Sequence, residues 1–203
     1  MKIMSKLALT SALVCLCMSS AAQDIQLPAP NKTGGKPLME ALSARQTNRD
    51  FSDKELSLQT LSNLVWAAYG FNREDKRTVP SSQNRQEIDL YVSLKSGIYL
   101  YDAKAQKLIL KVEDNHQAQT GKQDFVAVAP VNFVFVANLD KASNRDAALT
   151  DCGFISQNIY LFSASEGLIS VVRGFYDKAE LHKLLSLNAN QEVLLTQTVG
   201  YRK

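Results

Sequence analysis

The sequence has few residues that bind metals or form disulfides. Three cysteines and two histidines occur among 203 residues. His116 and His182 lie far apart in the chain, without the paired spacing of zinc ligands, so we expect no metal site. Cys15 and Cys17 lie in an apolar N-terminal run, which leaves Cys152 as the single thiol of the remaining chain. A single thiol excludes an internal disulfide, and the apolar surroundings of Cys152 favour a buried hydrophobic residue over a reactive one.

Other common signatures of function are also missing. The 23 basic and 20 acidic residues nearly balance, and since no block of five like charges occurs, we expect no nucleic-acid partner. The Gly-x-Ser-x-Gly turn of many hydrolases and the Gly-x-Gly-x-x-Gly turn of dinucleotide-binding domains are both absent. The contents of 45% hydrophobic and 21% charged residues are ordinary for a globular protein, and the length predicts one domain.

The first 22 residues have the pattern of a secretory signal peptide. Lys2 and Lys6 are followed by an apolar run over residues 7–18 and by the small residues Ser20-Ala21-Ala22. The run is too short to span a bilayer and no apolar stretch of 18 residues follows it, so we expect no membrane anchor. Both N-terminal cysteines follow a large residue, which disfavours lipid attachment. We therefore predict cleavage after Ala22 and a soluble exported protein, periplasmic in a bacterium; a buried N-terminal helix is the alternative.

The hydrophobic pattern after the signal peptide predicts an α+β fold. Residues 23–37 form an extended lead without periodicity, and residues 38–203 form the domain. Spacings of three and four between apolar residues predict helices over residues 38–44, 58–69, 144–166 and 178–187. Short runs of β-branched or aromatic residues predict strands over residues 88–94, 98–101, 108–112, 132–139, 168–172 and 192–199. Because helices and strands do not alternate regularly, we expect one sheet with helices packed around it.

Three of these elements carry more specific expectations. Ser57 is placed to cap the start of the helix over residues 58–69, and Gly70 is placed to end it. The helix over residues 144–166 has apolar residues on most sides and is expected to be buried over most of its circumference. The strand over residues 132–139 is nearly all apolar and is therefore expected to be central in the sheet.

A first polar cluster indicates an anion site. It consists of Arg45, Gln46, Thr47 and Arg49. Guanidinium groups bind phosphate through paired hydrogen bonds, and the Thr47 hydroxyl adds a donor. The alternative is an exposed loop whose charges face only solvent.

Two further clusters have groups suited to a flat polar ring. In one, two hydroxyls and two amides precede a predicted strand and can pair with the edge of a heterocycle; they belong to Ser81, Ser82, Asn84 and Gln86. A hydrophilic turn is the alternative for this cluster. In the other, a glycine at a helix end permits close approach to a ring, and basic residues follow near the C-terminus; the residues are Glu166, Gly167, Arg202 and Lys203.

Together the clusters resemble the FMN-dependent nitroreductase family over most of residues 38–203. Arg45, Thr47, Arg49 and Phe51 match a family segment that grips the FMN phosphate and ribityl chain, with Thr in place of the usual Ser. Gln46 lies within this segment, so the resemblance implies that it also contacts FMN.

The resemblance also implies roles for the other two clusters. The loop from Pro80 to Gln86 would lie along the isoalloxazine ring, and Glu166-Gly167 would approach flavin N5. Arg202 or Lys203 would close on the phosphate. Leu64–Gly70 and Gly153–Ala164 look like the subgroup that includes the azoline dehydrogenases of peptide maturation.

A fold and a function follow from this resemblance. The fold would be a nitroreductase-like α/β sandwich with a mostly antiparallel sheet, and the protein would be a homodimer with FMN at the subunit interface. Bound FMN would pass hydride or electrons from NAD(P)H or another reductant to a small-molecule acceptor. That scheme requires no protein acid or base, so no catalytic residue is assigned. The alternatives are an exported protein that binds flavin without turnover and, disfavoured by the intact clusters, an interaction module that binds no flavin.

Overall fold

One seven-stranded sheet organises the structure. The computed structural model describes residues 23–203, and the predicted signal peptide of residues 1–22 lies outside the described residues. The strands are β1 (Ile25–Gln26), β2 (Ile88–Leu94), β3 (Gly97–Asp102), β4 (Lys107–Glu113), β5 (Val131–Asn138), β6 (Ile169–Arg173) and β7 (Gln191–Gly200). They lie in the order β1-β4-β3-β2-β5-β7-β6, and every neighbouring pair is antiparallel. The prediction of one mostly antiparallel sheet with helices around it is confirmed.

Helices cover both faces of this sheet. They are α1 (Leu38–Ala44), α2 (Leu58–Tyr69), α3 (Phe125–Val128), α4 (Arg145–Ser165) and α5 (Lys178–Leu184). Alternate residues of β5 point to opposite faces, so Phe133 packs with α2 and α4 whereas Val134 packs with Leu181 of α5. Strand β5 is buried on both faces, as its apolar sequence predicts.

The helix ends follow from local capping groups. The Ser57 side chain accepts a hydrogen bond from the Thr60 amide at 3.0 Å, and α2 ends at Tyr69, directly before Gly70. The Asn144 side chain accepts from the Ala147 amide at 2.8 Å and fixes the start of α4. This start matters because α4 spans the distance between two of the predicted clusters.

Several elements differ from the prediction. Two residues of the lead, Ile25 and Gln26, form β1 through pairing with β4, which lies about 80 positions later and is invisible to a local pattern. Helix α3 was not predicted, and α5 ends at Leu184. Within this chain, α4 is buried on one side only, because Leu149 is 37% and Phe154 42% exposed.

Residues 23–203 contain neither a candidate membrane span nor a candidate metal cluster. No helix in residues 23–203 has the length and apolar character needed to cross a membrane. In that same range, no three His, Cys, Asp or Glu side chains cluster in a way that could bind a metal ion. Cys152 is fully buried, and burial raises the pKa of its thiol well above the usual range, which agrees with a structural role.

Candidate cofactor site

A cavity of about 220 Å³ lies at the C-terminal end of α4. Its lining includes Gln46, Gly167 and Arg202 from the sequence-predicted clusters, together with Lys36 and Tyr160. The remaining lining residues are Ala44, Asn48, Ser163, Ala164, Leu168, Ile169 and Ser170. The first and third clusters, which are about 120 positions apart or more, therefore meet at one place.

Backbone pairing holds the segment from Arg45 to Phe51 beside this cavity. Thr47 forms a parallel bridge with Ser170 at the edge of β6, and the Asn48 amide donates to the Ser170 carbonyl at 3.1 Å. Phe51 forms an antiparallel bridge with Arg202. The segment thus connects the edge of the sheet to the C-terminal residues and fixes the position of the side chains between them.

Tyr160 orients the Thr47 hydroxyl. The Val172 amide donates to the Tyr160 hydroxyl oxygen at 2.9 Å, and the Tyr160 and Thr47 hydroxyls lie 3.0 Å apart. When Tyr160 donates its proton to Thr47, the Thr47 proton remains free for a ligand. Tyr160 is buried, so this chain of hydrogen bonds is held by the core.

Three cations surround the site. The Arg45 guanidinium carbon lies 5.5 Å from the centre of the Tyr160 ring, and Lys36 and Arg202 line the cavity itself. The nearest carboxylate oxygen to Arg202, on Asp50, is 3.9 Å away in an exposed pair, which is a weak interaction. Because the C-terminal end of a helix carries partial negative charge, an anion bound here depends on these side-chain cations.

Gly167 leaves the backbone open at the end of α4. Its φ of +70° lies in the left-handed region, and the Leu168 amide donates to the Ser163 carbonyl at 2.8 Å, which closes the helix with a glycine turn. A Cβ atom at this position would contact nothing within 4 Å. A flat ring can therefore approach the backbone here without meeting a side chain of residue 167.

The second cluster lies elsewhere in the same chain. The Ser82 amide donates to Asp151 at 2.9 Å, and the Ser82 hydroxyl lies 2.9 Å from that of Ser143, so the loop packs on the N-terminal half of α4. From Asp151 to Ser163 the helix rises about 18 Å. One chain alone therefore does not bring Ser81, Ser82, Asn84 and Gln86 to the cavity.

The loop of the second cluster is rigidly bonded within itself. Gln83, Asn84 and Gln86 have φ between 51° and 57°, the left-handed region that side chains rarely adopt. The Gln86 side chain donates to Asn84 at 3.0 Å and accepts from Arg77 at 3.0 Å. These bonds hold the amides in fixed orientations, as recognition of a heterocycle requires.

A buried carboxyl pair lies beneath this loop. Glu87 is 1% exposed, and among residues 23–203 no donor bonds to either of its carboxyl oxygens. Burial, followed by the neighbouring Asp151, raises the pKa of Glu87 to about 6. Asp151 itself accepts from Ser82, so the pair is part of the support of the loop.

Sequence reasoning placed some residues at the cavity and missed others. Of the first cluster only Gln46 lines the cavity, whereas Arg45 and Thr47 lie beside it through their contacts with Tyr160. Glu166 caps the end of α4, and Arg49 and Lys203 are exposed and do not line the cavity. Lys36, Tyr160 and Ser170 were not predicted. The role of Tyr160 could not be predicted because its position fits the apolar pattern of a helix. The position of Lys36 could not be predicted because it depends on a contact with Ser165, 129 positions later in the chain.

Comparison with known proteins gives matches over nearly the whole described chain. Residues 42–201 match the family model described as Nitroreductase family. A candidate nitroreductase of Methanocaldococcus jannaschii is 30% identical in an alignment of length 195 that covers 87% of this chain and 96% of the relative. The crystal structure of a candidate nitroreductase from Ralstonia eutropha is 38% identical, with a TM-score of 0.84 and coverage of 91% of each chain.

Two solved structures of lower identity share the fold. In the microcin synthetase complex of Escherichia coli, the matching chain is 18% identical with a TM-score of 0.68, over 96% of this chain and 85% of that one. An FMN-dependent nitroreductase of Clostridium difficile is 19% identical with a TM-score of 0.59, over 81% and 87% of the two chains. The predicted nitroreductase-like fold is therefore confirmed.

Proposed function

The chain belongs to the nitroreductase family, and from this premise we propose that it is an FMN-dependent oxidoreductase acting on a small-molecule acceptor. The observation that carries the proposal is the cavity at the end of α4, which is lined by Lys36, Arg202 and the open backbone of Gly167. Arg45 and the Thr47 hydroxyl are held beside it against Tyr160, which itself lines the cavity. Similarity to a protein named as FMN-dependent adds support at the level of the fold. FMN, when bound, supplies the hydride and electron chemistry.

The residues at the cavity fit the polar half of FMN. Arg45, Lys36 and Arg202 would hold the phosphate, and Thr47 would donate to it through the proton that Tyr160 leaves free. Gly167 would leave room for the ring beside the backbone. Of the two terminal basic residues, Arg202 is the better candidate for the phosphate because it lines the cavity and Lys203 does not.

The remaining half of the site is proposed to come from a second copy of the chain. A cavity of 220 Å³ is smaller than the roughly 300–1,000 Å³ of typical small-molecule sites. In a homodimer the Ser81–Gln86 loop of one subunit would complete the cavity of the other. Exposed apolar residues on α1 and α4, among them Met39, Leu42 and Phe154, supply a surface for such an interface.

We also propose, from the sequence, that the protein is exported and that it belongs to the subgroup that includes the azoline dehydrogenases. A protein secreted through its signal peptide would begin at Gln23, and the intact mass of the exported chain tests this directly. A mass that includes a diacylglycerol group on Cys15 or Cys17 would contradict cleavage after Ala22. The reductant, NAD(P)H or another donor, and membership of the azoline-dehydrogenase subgroup are to be tested by activity.

Flavin titration followed by anaerobic reduction tests the function. Purified full-length chain is mixed with FMN, and the flavin absorption spectrum is recorded before and after NADH, NADPH or a quinol is added. We expect bound FMN that at least one donor bleaches and that a nitroaromatic or quinone acceptor restores. Bound FMN that no donor reduces would favour the non-catalytic flavin-binding protein, and failure to bind FMN would refute both.

A further inference from the structure

Arg77 is a half-buried cation that has no carboxylate partner in the described part of the chain. Its guanidinium carbon lies 4.2 Å from the ring centre of Tyr69 and 4.1 Å from that of Phe71. Two hydrogen bonds orient it, from Nη1 to the Tyr69 carbonyl at 2.9 Å and from Nε to Gln86 at 3.0 Å. Within residues 23–203, no carboxylate oxygen lies within 4.0 Å of it. The guanidinium is therefore held in place without a direct ion pair.

Arg77 lines a second cavity, separate from the one at the end of α4. This cavity has a volume of about 450 Å³ and lies between the loop that follows α2 and the hairpin of β3 and β4. Three further cations line it, namely Arg85, Lys104 and Lys141, against two carboxylates, Asp89 and Asp102. The lining side chains thus carry an excess of two positive charges.

The two carboxylates of the cavity are engaged in other contacts. Asp102 accepts from the backbone amides of Lys104 and Ala105 at 2.9 and 3.0 Å, which form the turn of the hairpin. Asp89 is half-buried and accepts from Gln191 at 3.4 Å. Neither aspartate forms a direct ion pair with Arg77, although both carboxylates act on its charge from beyond 4.0 Å.

We propose that this cavity binds a small oxyanion of the phosphate or pyrophosphate type. The rings of Tyr69 and Phe71 lie close to the Arg77 guanidinium, whose Nε and Nη1 bond to Gln86 and the Tyr69 carbonyl, while Nη2 has no partner among the described residues. Guanidinium N–H groups bind phosphate oxygens through charge-assisted hydrogen bonds. Lys104 and Lys141 add the charge for a dianion. This cavity shares Gln86 with the loop proposed to complete the flavin site of a second subunit, so the anion titration uses the chain without added flavin.

The test is a calorimetric titration of the full-length chain with sodium pyrophosphate, and with inorganic phosphate, at constant ionic strength. Trp66, the only tryptophan, provides a second signal because its indole donates to the Phe71 carbonyl at 3.1 Å, next to the stacked guanidinium. We expect saturable binding whose midpoint matches a change in tryptophan emission, because Trp66 lies beside the Arg77 cavity and not beside the proposed phosphate site at the end of α4. Absence of saturable binding of either anion would overturn the proposal.

Variants distinguish this cavity from the proposed phosphate site at the end of α4. The double variant K104Q/K141Q keeps the contacts of Arg77 with Tyr69, Phe71 and Gln86. It should bind pyrophosphate about tenfold more weakly, since two positive charges are lost from the cavity. Lys183→Gln, on the surface of α5, should leave pyrophosphate affinity unchanged, and Arg45→Ala reports on the other cavity. Loss of binding in Arg45→Ala with retention in the double variant would place the anion at the other site and refute the inference. Arg77→Lys keeps the positive charge but loses the planar guanidinium group with its several N–H donors, so this variant should bind pyrophosphate more weakly than wild type.

Discussion

Glu87 shows how one residue can make the stability of the protein depend on pH. The buried carboxyl group beside Asp151 has a pKa of about 6, against an ordinary value of 4.5. Between these values the folded state holds a proton that the unfolded chain releases. This contribution to stability is therefore fully present below about pH 4.5 and is lost as the pH rises through 6.

Glu87→Gln should remove this pH dependence. The amide keeps the shape of the protonated acid and can donate to Asp151, so the variant should exceed wild type in free energy of unfolding by about 2 kcal/mol at pH 8 and match it near pH 4. Urea unfolding at pH 4, 6 and 8 measures the difference. Glu113→Gln, at an exposed position of β4, serves as the control. A difference between Glu87→Gln and wild type that stays constant with pH would contradict the assignment.

Arg45 should contribute to the binding of the FMN phosphate specifically. It lies over the Tyr160 ring at the edge of the first cavity. Arg45→Ala is expected to weaken FMN binding by about 1.5–3 kcal/mol, the range for hydrogen bonds to charged groups, whereas Arg49→Ala, at an exposed position outside the cavity, should weaken it less. Riboflavin lacks the phosphate, so it should bind wild type more weakly and be nearly indifferent to both changes. Equal affinity of wild type for riboflavin and FMN, measured by fluorescence titration, would rule out the phosphate contact.

At the scale of elements, replacing Gly153 within α4 and Gly167 at its C-terminal end by alanine should have opposite effects on stability. A Cβ atom at Gly153 or at Gly167 would meet nothing within 4 Å, so space does not distinguish them. Gly153 lies inside the helix, where alanine should stabilise the chain by about 0.5–1 kcal/mol. Gly167 has a φ of +70°, where alanine should cost about 1–2 kcal/mol. Chemical unfolding of the two variants under the same conditions tests both signs, and a stabilising Gly167→Ala would contradict the backbone argument.

The elements also show what a local pattern can predict. The bounds of α2 could be predicted because Ser57 and Gly70 act on adjacent residues. The pairing of β1 with β4 and the contact between Thr47 and Tyr160 could not, since each joins residues more than 80 positions apart. For the same reason the sequence identified the three clusters but not their distribution between the two ends of α4.

At the scale of the whole molecule, we expect a homodimer that binds two FMN molecules. Within one chain the Ser81–Gln86 loop lies away from the cavity, and apolar residues of α1 and α4 are exposed. A second copy would bring its own loop to the cavity and cover the apolar residues. Sedimentation at micromolar concentration with and without FMN measures the assembly. Flavin at about 100 times its dissociation constant should add roughly 2.7 kcal/mol to the free energy of unfolding.

Phe154→Asp provides the matched variant for this prediction. Phe154 is 42% exposed on α4, so a charge there should weaken the dimer without disturbing the core of the monomer. Lys183→Asp, on α5, changes the charge by more and should leave the dimer intact. A wild-type monomer that binds one FMN tightly would leave the shared site without support.

The position of β7 in the sheet has a consequence for how the chain is made. Strand β7 follows every other strand in the sequence, yet it lies between β5 and β6 and pairs with both. A chain that leaves the ribosome with its N-terminus first cannot complete the sheet until residues 191–200 have emerged. Strands β1 to β5 can pair as they emerge, whereas β6 has no partner in the sheet until β7 has been made. Because Thr47 and Asn48 pair with Ser170 of β6, the cavity at the end of α4 is assembled only in the last stage of synthesis, when Arg202 is added as well.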